Sequence, residues 1–248
     1  MRYLGTRHAR LRLWISLFAR GLILGSLAVG AWVGLNALPD AINPFSPVEL
    51  TDDVGPLTNL KLRLLQSRYE ACLATIKRRS VAIERKVIAP TKEGCGMEKG
   101  IVLKQSPRVP DGFVGNGGDL DMTCGLGAAL LIWERNIVVP QAQMLLGSPV
   151  TRVRTFGTYD CRNINHAKTG RLSAHAEGRA IDISGFDLKD GRKISVVKDW
   201  GKATPEGQFL KVTHEGACSV FNVVLGPDFN DLHKNHFHLD MSIWRICK

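Results

Sequence analysis

An α+β fold, a mainly antiparallel sheet flanked by helices and preceded by an N-terminal transmembrane helix, is what this sequence predicts. Three observations point there: a long apolar run near the N-terminus, helical apolar periodicities in the first half of the remaining chain, and alternating strand patterns in the second half. The chain has 248 residues, 44% of them hydrophobic. That suffices for one domain with a real core and a short extra segment, while two full-sized domains would be a tight fit.

Residues 13–38 are apolar apart from Arg20 and isolated small polar residues, and Arg2, Arg7, Arg10 and Arg12 precede them. A spanning helix needs about 20 apolar residues, and basic flanks stay on the cytoplasmic side. The pattern predicts a cytoplasmic stretch at 1–12, a single-pass inner-membrane anchor at 13–38, and a C-terminal part in the periplasm. A cleaved signal peptide is the alternative, although an apolar signal core of about 7–15 residues is shorter than this run. Either way the remainder is exported.

Residues 39–58 contain prolines at 39, 44, 47 and 56 and no helical period, so they read as a linker before a domain at 59–248. Within 59–79, Leu62, Leu65, Tyr69, Cys72, Leu73 and Ile76 recur at spacings of three and four, predicting one amphipathic helix. Leu126, Ala129, Leu130, Trp133 and Ile137 predict a second over 124–137, which Pro140 ends or kinks. Strands are predicted at 149–159, 180–186 and 193–197, the last two joined by an Asp190-Gly191 hairpin turn. A helix over 204–217 and strands at 220–225 and 236–243 complete the domain.

All six cysteines, Cys72, Cys95, Cys124, Cys161, Cys218 and Cys247, lie beyond the apolar segment, and none form a C-x-x-C pair. Three disulfides in an oxidising compartment fit best, with the pairing left open. The net charge is +10; the first 50 residues contribute five Arg against Asp40 and Glu49, +3, leaving +7 for the rest. That favours an anionic partner. The basic residues are scattered and no recognition motif accompanies them, so an anionic envelope polymer is expected rather than nucleic acid.

Two stretches carry chemistry. In Ser173-Ala-His175-Ala-Glu-Gly178-Arg-Ala180-Ile-Asp182, a turn at Gly178 leads into a strand whose alternation sets Asp182 opposite Ile181 and Ile183. His175 folds back over Asp182 across that turn. In His233-Lys-Asn-His236-Phe-His238-Leu-Asp240, alternation puts His236, His238 and Asp240 on one face, with Phe237 and Leu239 on the other. If the two strands are neighbours, their polar faces converge. Neutral imidazoles with a carboxylate suit one zinc ion, and a catalytic site keeps three protein ligands and an open position. Lone sheet histidines that merely hydrogen-bond are the bland alternative, against which the two patterns stand together.

With Ser173, His175, Gly178, Ala180 and Asp182 matching SxHxxGxAxD, and His233, His236 and His238 matching H-x2-HxH, the chain resembles the extensin-like C-terminal domain family over residues 70–247. Through it the chain is similar to the zinc peptidases grouped as lysostaphin, D-Ala-D-Ala metallopeptidase and hedgehog proteins, the murein endopeptidases among them. The resemblance implies a D-Ala-D-Ala metallopeptidase-like fold and His175, Asp182 and His238 as zinc ligands. It places His233 as general base, where many relatives carry Glu, and His236 beside the ligands or facing substrate. Arg162, in Tyr159-Asp-Cys161-Arg162, stands where related peptidases keep an arginine near zinc. It would stabilise developing negative charge, with Ser173 and Tyr159 in supporting positions. The implied activity is D,D- or L,D-peptidase hydrolysis of peptidoglycan stems or cross-links. A wall-binding module that retains zinc without catalysis is the rival expectation, and a metal-free basic envelope protein a more remote one.

Overall fold

The computed structural model describes residues 3–103, 106, 108–115 and 120–248. Met1 and Arg2 of the expected cytoplasmic stretch lie outside the described residues. The chain opens with one long helix, α1 (Tyr3–Asn36), whose segment Trp14–Asn36 is long and apolar enough to cross a membrane. Along it the apolar side chains of Trp14, Leu22, Leu27 and Trp32 are exposed.

The segment expected as a linker is packed. Val48 and Leu50 join the core, and buried Lys61 donates from Nζ to Asp40 O (2.5 Å) and Ser46 Oγ (2.6 Å). The single helix expected over 59–79 is two, α2 (Thr58–Ser67) and α3 (Tyr69–Lys77), because Arg68 leaves the helical region at φ −112°, ψ 73°. Two distant partners hold the second piece: the Tyr69 hydroxyl donates to Gly100 O (2.8 Å), and Cys72 is bonded to Cys124.

Residues 83–123, for which the periodicities gave no element, form β1 (Ile83–Ile88), β2 (Met97–Leu103), β3 (Phe113–Gly115) and β4 (Asp121–Thr123). β1, β2 and β4 make a small antiparallel sheet. Next comes α4 (Cys124–Trp133), capped by the Thr123 hydroxyl and buried all round. Pro140 does not end this helical run. A π turn at Glu134–Val138 intervenes, and α5 (Val139–Leu146) starts with Pro140 in its first turn, where a missing N–H is tolerated. Gly147 closes it in the left-handed region at φ 63°.

The strands β5 (Val150–Gly157), β6 (Ala180–Leu188), β7 (Lys193–Ser195), β8 (Val223–Leu225), β9 (Phe237–Asp240) and β10 (Ile246–Cys247) form, with β3, a seven-stranded sheet in the order β10-β8-β9-β6-β5-β3, β7 pairing β6. It is antiparallel except for the β3–β5 and β10–β8 pairs. The expected strands at 193–197, 220–225 and 236–243 are all shorter. Val196 opens a short helix, α6 (Val196–Asp199), and Asn222 turns its amide to Asp240 O. The last helix, α7 (Pro205–Ala217), begins at the Thr204 cap.

α4 and α7 cover one face of the large sheet. Trp133 meets Phe186 and Phe221 at 6.2 Å between ring centres, Phe186 meets Phe209 at 5.1 Å, and Phe237 meets His214 of α7 at 5.0 Å. Ile181, Ile183, Phe237 and Leu239 are fully buried there. The alternate residues of β6 and β9 therefore point to the other face, where the polar cluster lies.

One buried acid lies inside this core. Glu134, at the π turn, contacts the Ser106 hydroxyl through Oε2, and its Oε1 has no close hydrogen-bond partner among the described residues. Burial pushes its carboxyl up from 4.5 to about 7, against the pull of Ser106 and Arg108. A raised folded pKa means the native state binds the extra proton. Stability from this group is thus complete below 4.5, falls as pH rises to 7, and amounts to about 3 kcal/mol in all. Glu134→Gln should remove this slope: its stability relative to the parent, from urea midpoints, should rise between pH 5 and pH 8. A constant difference would show that the carboxyl is not held protonated.

Candidate metal centre

β6 and β9 run antiparallel with Asp182 directly opposite His238. His175 comes from the one-turn 3-10 segment Ala174–Glu177, which begins where Ser173 Oγ accepts from the His175 amide (3.4 Å) and ends at Gly178, φ 64°. A side chain at 178 would be strained in that conformation, and its Cβ would lie 2.7 Å from Met97 Sδ. The turn is tied down by Thr123 N to Gly178 O and Asp160 N to His175 O, so the imidazole is carried back over the strand.

The three side chains converge. His175 Nε2 lies 3.2 Å from Asp182 Oδ1 and 3.2 Å from His238 Nδ1, and His238 Nδ1 lies 2.9 Å from Asp182 Oδ1. One ligand atom from each falls within 4.8 Å of the others. The outward nitrogens explain the arrangement. His175 Nδ1 is 2.6 Å from Thr158 O, which only accepts, so this nitrogen carries the hydrogen and Nε2 presents a lone pair. His238 Nε2 is 3.3 Å from Asp240 Oδ2, another acceptor, which turns Nδ1 inward. Two imidazole lone pairs and a carboxylate oxygen thus face one another, a set that needs a cation among them.

Without a metal, a proton serves. Burial works against charging His238, but hydrogen bonds to Asp182 and Asp240 outweigh it and raise its pKa to about 9. Burial would likewise raise Asp182, yet contacts with His175 and His238 hold it well below the usual carboxylate range. The donor set fits zinc, with Thr158 O and Asp240 orienting the two imidazoles as outer partners do in metal sites.

The remaining candidates surround this trio. His233, buried at the end of the 3-10 turn Asp231–His233, places Nδ1 2.7 Å from Asn230 Oδ1, which also accepts from Leu232 N. Its Nδ1 therefore carries the hydrogen, and Nε2, without a hydrogen-bond partner among the described residues, presents a lone pair. Burial first, then the neighbouring His236 and His238, lower its pKa to about 4, so it is neutral at pH 7. Its ring centre is 5.9 Å from that of His238. His236 has Nδ1 on Asn235 Oδ1 (2.8 Å) and Nε2 3.5 Å from Asp182 Oδ1; burial lowers its pKa too. Arg162 donates from Nε to Asp160 Oδ2 (2.8 Å) and sets Nη2 3.9 Å from Asp182 Oδ2, at the edge of the trio. Tyr159 is the exception. Its buried hydroxyl has no hydrogen-bond partner, and no polar contact joins it to the trio among the described residues.

All six cysteines are paired, Cys72–Cys124, Cys95–Cys161 and Cys218–Cys247. The second fastens the loop that carries Arg162. The residues that sequence reasoning missed are the orienting ones. The His-x-His-x-Asp alternation puts Asp240 on the polar face but gives it no role; Thr158, which acts through its backbone carbonyl, and Asn230 and Asn235, which serve only through loop geometry, gave no signal.

The wild-type chain should hold about one zinc ion, as a three-ligand site requires. Asp182→Asn should abolish this in elemental analysis. Asp240→Asn should retain zinc with an affinity about 10–100-fold weaker in competition with a chelating dye, since it removes only the orienting partner. Equal affinity would show that Asp240 does not orient His238.

A model of the extensin-like protein C-terminus matches residues 70–248. Neither the curated proteins nor the solved structures contain a match. The matched span takes in every described residue of the trio and its surroundings, and over it the chain belongs to the extensin-like protein C-terminus family.

Proposed function

We propose that this chain is an envelope zinc peptidase, anchored by α1 in the inner membrane with its domain in the periplasm. It would hydrolyse peptide stems or cross-links of peptidoglycan at a site akin to those of lysostaphin, D-Ala-D-Ala metallopeptidases and hedgehog proteins. The observation that carries this reading is the trio of His175, Asp182 and His238, with tautomers set from outside and a neutral base beside it. A bound zinc ion would supply Lewis acidity, polarising a carbonyl and acidifying water.

The chain's own residues divide the remaining work. His233 Nε2 takes a proton from the attacking water and returns it to the departing amine. Arg162, braced by Asp160, offers its guanidinium to the developing oxyanion. Exposed Phe156, edge-on to His236 at 5.8 Å between ring centres, stands beside the trio and offers an apolar surface to a bound peptide. The basic surplus of +7 outside the first 50 residues suits an anionic polymer.

A binding role without turnover draws on one specific observation. A base with a pKa of about 4 has little driving force for accepting a proton at pH 7. Muropeptides incubated with the zinc-loaded chain and followed by mass spectrometry separate the two readings. Shortened or uncrosslinked products are expected, and His233→Ala should reduce them by about 100-fold or more with zinc still bound. Equal product from that variant would remove His233 from the base role, and intact muropeptides bound by the parent chain would establish the wall-binding reading.

A further inference from the structure

We propose that the domain rests directly on the bilayer through an apolar patch of Leu38, Ile42, Phe45, Leu60 and Leu64. The inference depends on the reading of α1 as a membrane anchor and adds to it the face that the domain turns to the lipid.

The connection between helix and domain has almost no slack. The amides of Ala37 and Leu38 still bond back to Val33 and Leu35, and those of Ile42 and Asn43 bond to Pro39 O. The next carbonyl, Asp40 O, is held by Lys61 Nζ at 2.5 Å. From there the segment stays fixed. Arg78 meets Glu49 at 2.5 Å, Arg79 donates to Thr51 at 2.8 Å, and Asn136 Nδ2 donates to Asp52 O at 3.1 Å. A chain that read as a linker is a strap.

Trp14 and Trp32 stand about 27 Å apart along a helix rising 1.5 Å per residue, close to the roughly 30 Å of a hydrocarbon core. Tryptophans favour the two interfaces, which sets the outer boundary at Trp32. Asn36 is about 6 Å further along the axis. Even fully extended, Ala37 to Asp40 add at most about 14 Å. The clamped carbonyl of Asp40 is therefore confined to the lipid headgroups or the water just above them.

At this height the domain shows apolar side chains that its core leaves uncovered. Phe45 is 76% exposed, and Leu38, Ile42, Leu60 and Leu64 are all exposed. Leu60 and Leu64 are one turn apart on α2 and bracket Lys61, whose ammonium binds the strap on either side of Ile42, at Asp40 and Ser46. The two groups thus share one region of surface. Arg63, exposed on the same helix, adds a cation suited to anionic headgroups. The same chain that crosses the membrane delivers this patch to its surface, which is why lipid, rather than a protein partner, is the occupant.

The full chain reconstituted in phosphatidylethanolamine–phosphatidylglycerol vesicles tests this, with a benzophenone amino acid placed singly at Leu27, Phe45, Leu64 or Val197. All four positions are exposed, so none disturbs the core. Lipid adducts are counted by mass spectrometry after illumination. Adducts at 27, 45 and 64 several-fold above those at 197 are expected. Adducts at 27 with 45 and 64 no higher than 197 would overturn the resting domain and leave the anchor standing. No adduct at 27 would remove the anchor, and this inference with it.

Discussion

The register between β6 and β9 is the constraint on which the centre depends. Asp182 opposite His238 places a carboxylate and an imidazole on one face of the sheet, while Ile181, Ile183, Phe237 and Leu239 fill the core behind them. A slip of one residue would turn both sets over, burying two ionisable groups among aromatic rings and exposing four apolar side chains. The hydrophobic demand of the core therefore fixes the polar geometry. The site needs no separate folding signal, because the arrangement that satisfies Phe237 and Leu239 also aims His236 and His238.

The third member arrives differently. His175 sits on a turn held by backbone bonds and by the left-handed glycine at 178, and its ring is oriented by a main-chain carbonyl. Strand residues supply precision and the turn supplies approach from above. Around them His233 and His236 each give one nitrogen to an asparagine oxygen, so the rings face the centre with defined tautomers. Burial lowers the pKa of His233 and His236, while Asp182 and Asp240 hold the charge of His238, so few of these rings compete for a proton.

Much of this was legible in the sequence, and the limits have physical causes. Period-two alternation around Asp182 and around His236, His238 and Asp240 is a local property, so the strands and their inward faces could be read directly, while the meeting of the trio rested on the two strands being neighbours and on resemblance. Element ends could not, since β7, β8 and β9 stop where their pairing stops. The short strands of residues 83–123 lack a clean period because β1 is exposed on both faces and β3 and β4 span three residues each. The break at Arg68 keeps Leu65 and Tyr69 at helical spacing, so periodicity passes over it; its causes, the Tyr69–Gly100 bond and the Cys72–Cys124 bridge, are distant in sequence. Lys61 likewise converts a proline-rich linker into packed chain through contacts that no composition reveals. Zinc, peptide hydrolysis and the wall substrate rest on the chemistry of the donor set and on resemblance.

The bridge between Cys95 and Cys161 has a consequence of its own. It pins the loop that presents Asp160 and Arg162, and Gly96, next to its first cysteine, donates its amide to Ala176 O beside His175. Where thiols are kept reduced, this clasp is open and the arginine's position relies on weaker contacts. The arrangement around the trio is then linked to oxidation, so its geometry becomes a property of the compartment as well as of the fold.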